Sequence, residues 1–541
     1  MKYIKKYWIL LIIFLAAFLR LYKLSDVSLY GDELTILYDG YSVLKTGRDQ
    51  LGNILPLTFR MGAGRPAGYV YFSIPFIAGF GLNYLGVRML SVLSGVGLTI
   101  LMYLIGKVLV GKKVGIAGAV MMAISPMGLT LGRGGFESNF ALFLTVLGVW
   151  SFLLAKKKKY FYILFALSWG IAIHTYPTFK LTLPILGIGL MWFTGIFTGI
   201  KGLIKDKFVL IAVLVLGVFT ILSLTQTLTA GSDKRFSEIN IFNRSDIKEN
   251  ITTQVNEERA VSRLPESLRV IFHNKVVAYG NLMLVNYLDN LSPDYLFVEN
   301  RENPRHNMTN SGILFWMDAI LITFGVIYLL QREKSLLKLL IFWILITPLA
   351  TMLLGEVHSL RNSLMLPPFI LLSSSGLISL FDSKGRNYRL LFYMITVGIL
   401  FQLIFILNNL YYYSPHAYSS FWSEPAKKAI ELADANPEFD KIFISDRVDN
   451  VEYALAVYHK LVPATKPEIV NIRQQSNLLT FKKYSNIYIG YIPDKHIDEV
   501  MHTQGKVLFI GSFDPDKNGV SDYDEIMGSD GLIHLITARY P

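Results

Sequence analysis

The chain has 541 residues, of which 52% are hydrophobic and only 17% charged, and its mean hydropathy is +0.42. A soluble protein of this length carries more charge, and apolar segments of about 20 residues recur along most of this sequence. The composition excludes an ordinary soluble enzyme and predicts a polytopic membrane protein.

The net charge of +12 reflects 52 lysines and arginines against 40 acids. Much of the excess lies in short gaps between apolar runs, such as 112–113, 156–159 and 384–389. Cytoplasmic loops have this distribution, and a nucleic-acid-binding patch does not, so we expect no nucleic-acid partner. The chain has no cysteine, which excludes disulfides, a thiol nucleophile and thiolate metal ligands.

Placing the lysine-rich gaps in the cytoplasm orders the predicted spans. The first, 7–22, is followed by no small-residue cleavage site and is interpreted as a retained helix running outward. The others are expected near 85–106, 114–130, 138–155, 160–173, 181–199, 208–227, 313–330, 335–354, 361–380 and 388–410. The sequence thus predicts about eleven transmembrane helices in 1–410, with 23–83 and 228–312 as long external loops. The expected location is the plasma membrane, with a cytoplasmic N-terminus.

From about residue 411 the composition changes. EPAKKAIELADA predicts an amphipathic helix, and KIFISD, NIYIGYI, KVLFIGSF and LIHLITA predict short strands between turns. Alternation of helix and strand predicts a small α/β domain in 411–541, outside the cytoplasm.

The tail contains one metal-ligand pattern, FDPDKNGVSDYDE, with Gly519 at the expected sharp turn. Its spacing fits a calcium loop with ligands at Asp514, Asp516, Asn518, Val520, Asp522 and Glu525. The alternative is an Asp-rich hairpin turn, because a strand-like run precedes it and no clear helix follows. Any calcium here is expected to be structural; we predict no cofactor required for catalysis and leave a divalent metal at the active site open.

The predicted topology places several charged residues that are unusual near a membrane on the external face. SLYGDELTILYDG carries adjacent acids, Asp32 and Glu33. The same face receives Arg65, Arg133, Glu137, His174, Lys180, His358 and Arg361. An unpaired charge costs about 2.5–3.5 kcal/mol toward the membrane centre, so such residues usually face an interior cavity. An acidic pair opposite a cationic cluster suits a general base beside an anionic leaving group.

Each of these charged or polar residues also has a purely structural interpretation. The two acids could be solvated or could cap a helix beginning at Leu34. Arg65 and Arg361 could extend to lipid headgroups. Arg133 and Glu137, four residues apart, could pair on a helix, and His174 could be a packed core residue. Their coincidence on one face favours the functional interpretation.

An ordered series of motifs resembles the GT-C glycosyltransferases of family 39, which include protein O-mannosyltransferases and aminoarabinose transferases that modify lipid A. The motifs are GDELTILYDGYSVLKTGRDQLGNILPLTF, RPAGYVYFSIPF, GLNYLGVRMLSVLSGV, SPMGLTLGRGGFESN and HTYPTFK. The similarity is strongest over 20–185 and continues weakly through DYLFVENRENPRHNMTNSGIL and HSLRNSLMLPP. The resemblance implies a GT-C fold, a polyprenyl- or dolichyl-phosphate sugar as donor, and transfer on the external face.

The resemblance also implies roles for individual residues. Asp32 is the catalytic carboxylate, with Glu33 adjacent, and Arg65 of RPAGYVYF contacts the donor phosphate. The role of Tyr69 stays open, because an arginine stands where lysine is common and the aromatic spacing is loose.

Two further motifs supply site candidates by the same resemblance. RGGFE is similar to a basic-then-acidic element of the family and contributes Arg133 and Glu137. HTYPTFK departs from the tyrosine-rich stretch of bacterial relatives, and it contributes His174, Tyr176 and Lys180.

The resulting hypothesis is an inverting transfer to a hydroxyl of a protein, glycan or lipid. Asp32 takes the acceptor proton, while Arg65, with Arg361, Lys180 or Arg133, neutralises the departing polyprenyl phosphate. One rival is a flippase or transporter of lipid-linked sugars, which predicts inverted repeats that the sequence does not display. Another is an oligosaccharyltransferase or O-antigen ligase, although the tail has no WWDYG-type motif.

Overall fold

The structure is a computed structural model that describes the chain except residues 1–3, 60–63, 197–204, 230–239, 300–302, 356, 464–466, 475–476, 495–496, 503 and 515–519. The chain forms two compact units that alternate along the sequence. The helical unit comprises Met1–Tyr22, Leu57–Tyr69 and Leu90–Asn409. The mixed unit comprises Lys23–Pro56, Val70–Met89 and Leu410–Pro541.

The first half of the chain is almost entirely helical. Its elements are α1 (Ile4–Leu21), α2 (Gly31–Thr46), β1 (Thr58–Phe59), β2 (Arg65–Pro66), α3 (Gly68–Phe80), α4 (Tyr84–Leu109), α5 (Lys112–Ile124), α6 (Pro126–Leu131), α7 (Glu137–Ala155), α8 (Phe161–Ile173), α9 (Phe179–Phe193) and α10 (Lys207–Thr229). The helices then continue as α11 (Ser245–Val261), α12 (Glu266–Phe272), α13 (Lys275–Asp289), α14 (Asp318–Arg332), α15 (Lys334–Ile346), α16 (Pro348–Thr351), α17 (Leu366–Asp382) and α18 (Arg386–Asn408). Both predicted external loops therefore contain helices.

Seven helices in the described part of the chain are long and apolar enough to cross a membrane. They are Tyr7–Asp26, Tyr84–Leu109, Glu137–Ala155, Lys207–Gln226, Lys334–Thr351, Ser363–Asp382 and Arg386–Ala417, and each coincides with a predicted span. Within the described residues, the other four predicted spans, 114–130, 160–173, 181–199 and 313–330, are mainly helical, but none of their helices is longer than 15 residues. The prediction of a polytopic helical membrane protein is confirmed, and its orientation stays a prediction.

The predicted span 114–130 is broken at a proline. Pro126 has no N–H to donate to the carbonyl of Met122, so the helix ends at Ile124 and α6 begins anew. The buried guanidinium of Arg20, from α1, donates to the carbonyls of Met122 (3.4 Å), Ala123 (3.2 Å) and Gly128 (3.1 Å). This one side chain thus supplies donors to the carbonyls of Met122 and Ala123, at the end of the helix that the break leaves without continuing N–H groups.

The C-terminal segment alternates helix and strand, as predicted. Its elements are α19 (Ser414–Ala417), α20 (Glu424–Ala435), β3 (Lys441–Ser445), α21 (Val451–Tyr458), β4 (Glu468–Gln474), β5 (Asn477–Tyr484), β6 (Ile487–Gly490), α22 (Ile497–His502), β7 (Val507–Ser512), β8 (Asp524–Met527) and β9 (Ile533–Tyr540). The predicted amphipathic helix is α20, and the four predicted strands are β3, β6, β7 and β9.

The seven strands form one sheet in the order β4-β5-β6-β3-β7-β9-β8. The central strands β6, β3 and β7 are parallel, and the outer pairs are antiparallel. Strands covered on both faces must be apolar throughout, which explains the continuous runs IFI, IYI and VLFI at the centre. Phe443 anchors this core between the rings of Phe481 and Tyr488, at 5.0 and 4.9 Å.

Candidate active site

The two acids of the first motif lie in the first turn of α2, in the mixed unit. The helix begins at Gly31, three residues earlier than the capping alternative required, so Asp32 and Glu33 are helical residues and not caps. The N-terminus of a helix presents unpaired backbone N–H groups and the positive end of the helix dipole. Both carboxylates therefore lie at the positive end of α2.

Glu33 forms a closed ion pair with Arg88 of α4. Its two carboxylate oxygens accept from Nε and Nη2 of Arg88, at 2.7 and 2.6 Å. The remaining guanidinium donors reach the carbonyls of Leu24 (2.8 Å), Val27 (3.0 Å) and Ser28 (2.8 Å). Both charged side chains are buried, with exposed fractions of 1% for Arg88 and 0% for Glu33. All five N–H donors of the guanidinium thus form hydrogen bonds, and the pair fixes segment 24–28 against α2.

Asp32 lies in a different environment from its neighbour. It is partly exposed, whereas Glu33 is buried, and its carbonyl accepts from the hydroxyl of Thr35 at 2.9 Å. Adjacent carboxylates in contrasting environments can take different roles, one chemical and one structural. The accessible carboxylate is the one suited to meet a substrate.

The C-terminal part of the mixed unit packs directly against the start of α2. Tyr30 makes an edge-to-face contact with Trp422, with 5.3 Å between ring centroids. Gly31 lies so close to Asn450 that a Cβ at this position would overlap its side-chain amide. Asn450, in the left-handed conformation (φ 63°), donates to the Ser423 hydroxyl at 3.2 Å. Residues beyond 420 therefore help to position the turn that carries Asp32.

A second group of predicted residues lies in the helical unit, around the β1–β2 hairpin. Arg65 stands opposite Phe59 in this hairpin, and its Nε contacts the carboxylate of Glu137 at 2.7 Å. Arg65 is buried, with 3% of its side chain exposed, while Glu137, at the start of α7, retains 14%. The structure thus joins the RPAGY and RGGFE motifs through one ion pair that is buried at one end and accessible at the other.

The hairpin is also bound to the HTYP motif. The N–H of Gly68 donates to the carbonyl of His174 at 2.9 Å, and a side chain at Gly68 would collide with Thr175. The hydroxyl of Tyr69, a buried side chain, shares a hydrogen bond of 2.9 Å with Ser91. Tyr69 therefore fixes the end of the hairpin to α4 in this structure.

Lys180 reaches the same hairpin through a glutamine. Its Nζ donates to Oε1 of Gln226 at 3.1 Å. The amide of Gln226 donates in turn to the carbonyl of Leu57 (3.0 Å) and to the hydroxyl of Thr58 (2.6 Å). Since Thr58 pairs with Pro66, next to Arg65, the two predicted cations belong to one connected network.

The aromatic and histidine members of HTYP make local contacts. The Nε2 of His174 is 2.9 Å from the carbonyl of Phe219, and the two rings pack at 5.7 Å. Tyr176 packs edge-on against Phe179 at 5.7 Å. For His174 these contacts match the packed-core alternative.

Arg133 has a structural set of partners. Its Nη1 donates to the carbonyls of Leu19 (3.4 Å), Arg20 (3.2 Å) and Tyr22 (2.6 Å), and 1% of the residue is exposed. These carbonyls belong to the C-terminal end of α1, where no further helical N–H groups follow. Arg133 therefore caps this helix.

His358 stacks on a histidine that the sequence motifs did not single out. The rings of His306 and His358 are 4.7 Å apart and inclined by 34°, and His306 also contacts Phe136 at 5.9 Å. Phe136 immediately precedes Glu137, so this pair lies next to the start of α7. Arg361, one turn after His358, is partly exposed and has no hydrogen-bond or ion-pair partner among the residues that the structure describes.

Solved structures of other proteins share this architecture. No family model and no curated protein matches the chain. Among solved structures, ArnT from Cupriavidus metallidurans in its apo state superposes with a TM-score of 0.53 at 10% identity, over 98% of both chains. The same enzyme bound to undecaprenyl phosphate gives a TM-score of 0.51 at 11% identity, again over 98% of both chains. The chain has the GT-C fold.

A further similar structure is the oligosaccharyltransferase AglB from Archaeoglobus fulgidus, with a TM-score of 0.48 at 14% identity. The match covers 84% of this chain but only 64% of the length of that enzyme. The predicted fold class is thus confirmed by the full-length likeness to ArnT, whereas membership of family 39 stays a prediction.

The possible calcium loop falls partly outside the described residues. Asp516 and Asn518 lie there, as does Gly519. The loop leads into a strand and not a helix, because Glu525 belongs to β8 and pairs with Ile536. The secondary structure on either side of the loop is that expected for the hairpin alternative. Calcium binding stays a prediction. No group of three or more metal-binding side chains occurs within the described ranges.

Proposed function

We propose that this chain is a membrane glycosyltransferase that moves a hexosyl or pentosyl group from a polyprenyl-phosphate donor to a hydroxyl acceptor on the extracytoplasmic face. The observation that carries the proposal is the GT-C fold over the whole chain, combined with a partly exposed aspartate in the first turn of α2. The ArnT structure that matches over 98% of both chains is bound to undecaprenyl phosphate, which supports a donor of this class.

In the proposed reaction Asp32 is the general base. The acceptor oxygen attacks the anomeric carbon, the bond from this carbon to the phosphate oxygen breaks, and the hydroxyl proton passes to the Asp32 carboxylate. The polyprenyl phosphate leaves as an anion and takes no proton. Because one displacement occurs, the configuration at the anomeric carbon inverts. The acceptor is a protein, a glycan or a lipid.

Glu33 has a positioning role in this mechanism and not that of a second base. Its carboxylate oxygens are both bound by Arg88, and the side chain is buried. A carboxylate held in this way cannot approach an acceptor hydroxyl without breaking the pair. It instead fixes the helical turn on which Asp32 stands.

The cations proposed to neutralise the leaving phosphate are Arg65, Lys180 and Arg361. Glu137 orients the guanidinium of Arg65, and a guanidinium can bind phosphate oxygens through two parallel hydrogen bonds. Arg133 is omitted from this set, because its guanidinium donates to the carbonyls at the C-terminal end of α1.

Replacement of Asp32 by asparagine tests the proposal. A strain lacking the gene is complemented with the wild-type chain or with Asp32→Asn, and mass spectrometry of envelope glycans, lipids and proteins identifies the sugar that the wild type restores. We expect Asp32→Asn to reduce this modification by about 10²–10⁴-fold, the usual contribution of a general base, with unchanged protein abundance and undecaprenyl-phosphate binding.

Asp26→Asn is the matched control. Asp26 is also an acid of the first loop, but it pairs on the surface with Lys23 at 3.4 Å. Its replacement should leave the modification intact. Full complementation by Asp32→Asn would refute the role of this residue as base, and an unchanged envelope after loss of the gene would refute the transferase proposal itself.

A further inference from the structure

The segment between α10 and α14 contains two long helices that pack against each other within the helical unit. Ile251 and Val255 of α11 form a small buried cluster with Ala278 of α13, to which Tyr279 and Leu282 add partial cover. The short helix α12 lies between α11 and α13 in the chain. One face of α13 is therefore covered by α11.

The outer faces of α11 and α13 differ in character. On α11 the exposed side chains are polar up to its last two residues, Ala260 and Val261, as at Glu249, Thr253 and Asn256. On α13 most of them are apolar: the exposed fractions are 40% at Val277, 55% at Leu284 and 54% at Leu288, with Asn281 as the one exposed polar residue between positions 277 and 288. Spacings of seven and four residues place these three on one side of the helix.

The exposed apolar surface continues into α12 and its flanks. It includes Leu268 (42%), Val270 (48%), Ile271 (60%), Phe272 (57%) and Val276 (83%). A helix that is apolar on its outer as well as its inner side is stable only when both sides are covered. An exposed patch of this extent is typical of a surface that meets another molecule or a membrane.

The position of α13 indicates what covers this surface. At its C-terminal end the Tyr287 hydroxyl donates to the carbonyl of Leu345 at 2.7 Å, and the Asn286 amide donates to the carbonyl of Met352 at 3.2 Å. Leu345 belongs to the candidate membrane span Lys334–Thr351 and is itself 45% exposed, as expected of a lipid-facing side chain. The apolar outer face of α13 thus begins beside the end of a membrane span.

Buried hydrogen bonds make this attachment firm. The Asn362 amide donates to the side-chain oxygen of Asn290, directly after α13, and its own oxygen accepts from Thr351 at 2.8 Å. The Asn290 amide donates to the carbonyl of Asn286 at 2.5 Å. From this anchor α13 extends about 22 Å, at 1.5 Å per residue, so α12 is reached only at the far end of the helix.

The charges beside the apolar surface suit lipid headgroups. Arg263, Arg269 and Lys275 lie in and around α12, with one acid, Glu266, among them. Apolar side chains combined with arginine and lysine, adjoining a transmembrane span, are the properties of a helix that lies in the membrane interface.

We propose that α12 and α13 form an interfacial membrane element, with their exposed apolar side chains inserted into the lipid leaflet at which α13 meets the 334–351 span. The occupant of this surface is the bilayer, and neither a second copy of the chain nor a protein partner. The inference is independent of the proposed catalytic function, because it rests on exposure and on the contacts with the span alone.

The absence of cysteine makes a direct test possible, since each introduced cysteine is the only one in the chain. Ile271→Cys and Leu284→Cys report on α12 and α13, and Thr253→Cys on the polar face of α11 is the matched control. Each variant is labelled with a small environment-sensitive fluorophore and reconstituted in nanodiscs of phosphatidylcholine and phosphatidylglycerol, with or without brominated acyl chains. All three sites are exposed, so the substitutions leave the packing intact.

We expect brominated lipid to remove most of the fluorescence at positions 271 and 284 and to leave position 253 unchanged, with aqueous iodide giving the opposite pattern. Quenching of all three positions by iodide and none by lipid would overturn the proposal, because the surface would then face water. Protection of 271 and 284 from both quenchers would also overturn it. Protection at one copy per nanodisc would indicate that protein covers the surface. Protection only at two copies per nanodisc would indicate that a second copy of the chain covers it.

Discussion

Two ion pairs, one in each unit, join residues of the motifs that first indicated function. They differ in how completely their charged groups are shielded from solvent. In the mixed unit, Arg88 uses all five donors on Glu33 and three carbonyls, and both charges are buried. In the helical unit, Arg65 is buried, but its partner Glu137 remains 14% exposed. A closed pair can only hold the chain in place, whereas a pair accessible at one end can exchange a contact for a ligand.

Breaking the closed pair is expected to have the largest effect. Removing one partner of a buried ion pair leaves an uncompensated charge and costs about 3–5 kcal/mol. Arg88→Met should be at the upper end, since the carbonyls of Leu24, Val27 and Ser28 lose their donors as well, and Glu33→Gln should cost less. Thermal unfolding of the full chain in nanodiscs measures both.

The double variant Glu33→Met with Arg88→Met provides the control, because it removes both charges together. It should recover part of the stability lost in Arg88→Met. An unfolding temperature for Glu33→Gln equal to that of the wild type would show that the pair does not stabilise the fold.

A third enclosed acid, Glu424 at the start of α20, extends the comparison to a carboxylate held mainly by neutral donors. Burial raises the pKa of Glu424, but the N–H and hydroxyl of Ser529 and the hydroxyl of Ser419, with Lys428 at 3.3 Å, outweigh it and lower the pKa to about 2. The folded form therefore gains stability that is complete above the ordinary glutamate pKa and is lost as pH falls from about 4.5 to 2.

The expected contribution of Glu424 is about 3 kcal/mol, at 1.36 kcal/mol per unit of pKa. Unfolding measured between pH 7 and pH 3 should show a steeper acid loss for the wild type than for Glu424→Gln. Parallel curves for the two proteins would contradict the assignment. Glu431→Gln, at an exposed position of the same helix, is the control and should leave the pH dependence unchanged.

The next effect concerns the position of Asp32 and not its charge. In Gly31→Ala the added methyl group would meet the Asn450 amide and disturb its bond to Ser423. Such overpacking costs about 1–3 kcal/mol, and we expect the lower end because the opposing group is a side chain. Transfer activity should fall by more than the loss of folded protein accounts for, since the displaced turn carries Asp32, the proposed base.

Asn450→Gly tests this explanation, because it removes the opposing amide while glycine readily adopts the left-handed conformation at this site. The double variant Gly31→Ala with Asn450→Gly should regain activity relative to Gly31→Ala alone. Failure to regain it would show that the glycine is needed for another reason.

The spans and central strands could be predicted from sequence because burial in lipid or on both faces of a sheet requires continuous apolar runs. The strands β4, β5 and β8 were not predicted. Four exposed or partly exposed residues make up β8, and Lys482 and Lys483 interrupt the apolar pattern of β5. The helices of 228–312 lie between the spans and were included in a loop.

The residues proposed for the site could be singled out from the sequence because their motifs are local, whereas their contact partners are not. Asp32 and Glu33 are adjacent in the sequence, but the residue that distinguishes them, Arg88, is 55 positions from Glu33 and lies within an apolar helix. His306 was likewise hidden, in a polar segment with no spacing to mark it. The sequence therefore indicated which residues were unusual, and only the tertiary contacts distinguished the partly exposed acid, Asp32, from the buried and paired acid, Glu33.

The smallest change in stability, and the sharpest test of the comparison, is expected for the accessible pair. Glu137→Gln retains an oxygen that can accept the hydrogen bond from Arg65, and this end of the pair is partly exposed, so the unfolding free energy should fall by less than in Glu33→Gln. The loss of the negative charge leaves the guanidinium more attractive to a phosphate. Undecaprenyl phosphate should bind about threefold to tenfold more tightly, a gain of about 0.7–1.4 kcal/mol.

Titration of the purified variant with undecaprenyl phosphate measures this affinity, and Glu33→Gln is the comparison. Glu33→Gln should lose stability without gaining affinity, because its partner Arg88 is enclosed by carbonyls. If Glu137→Gln instead bound the lipid phosphate no better than the wild type and unfolded as readily as Glu33→Gln, the two pairs would have the same structural role. Arg65 would then have no place in the proposed phosphate site, which would rest on Lys180 and Arg361.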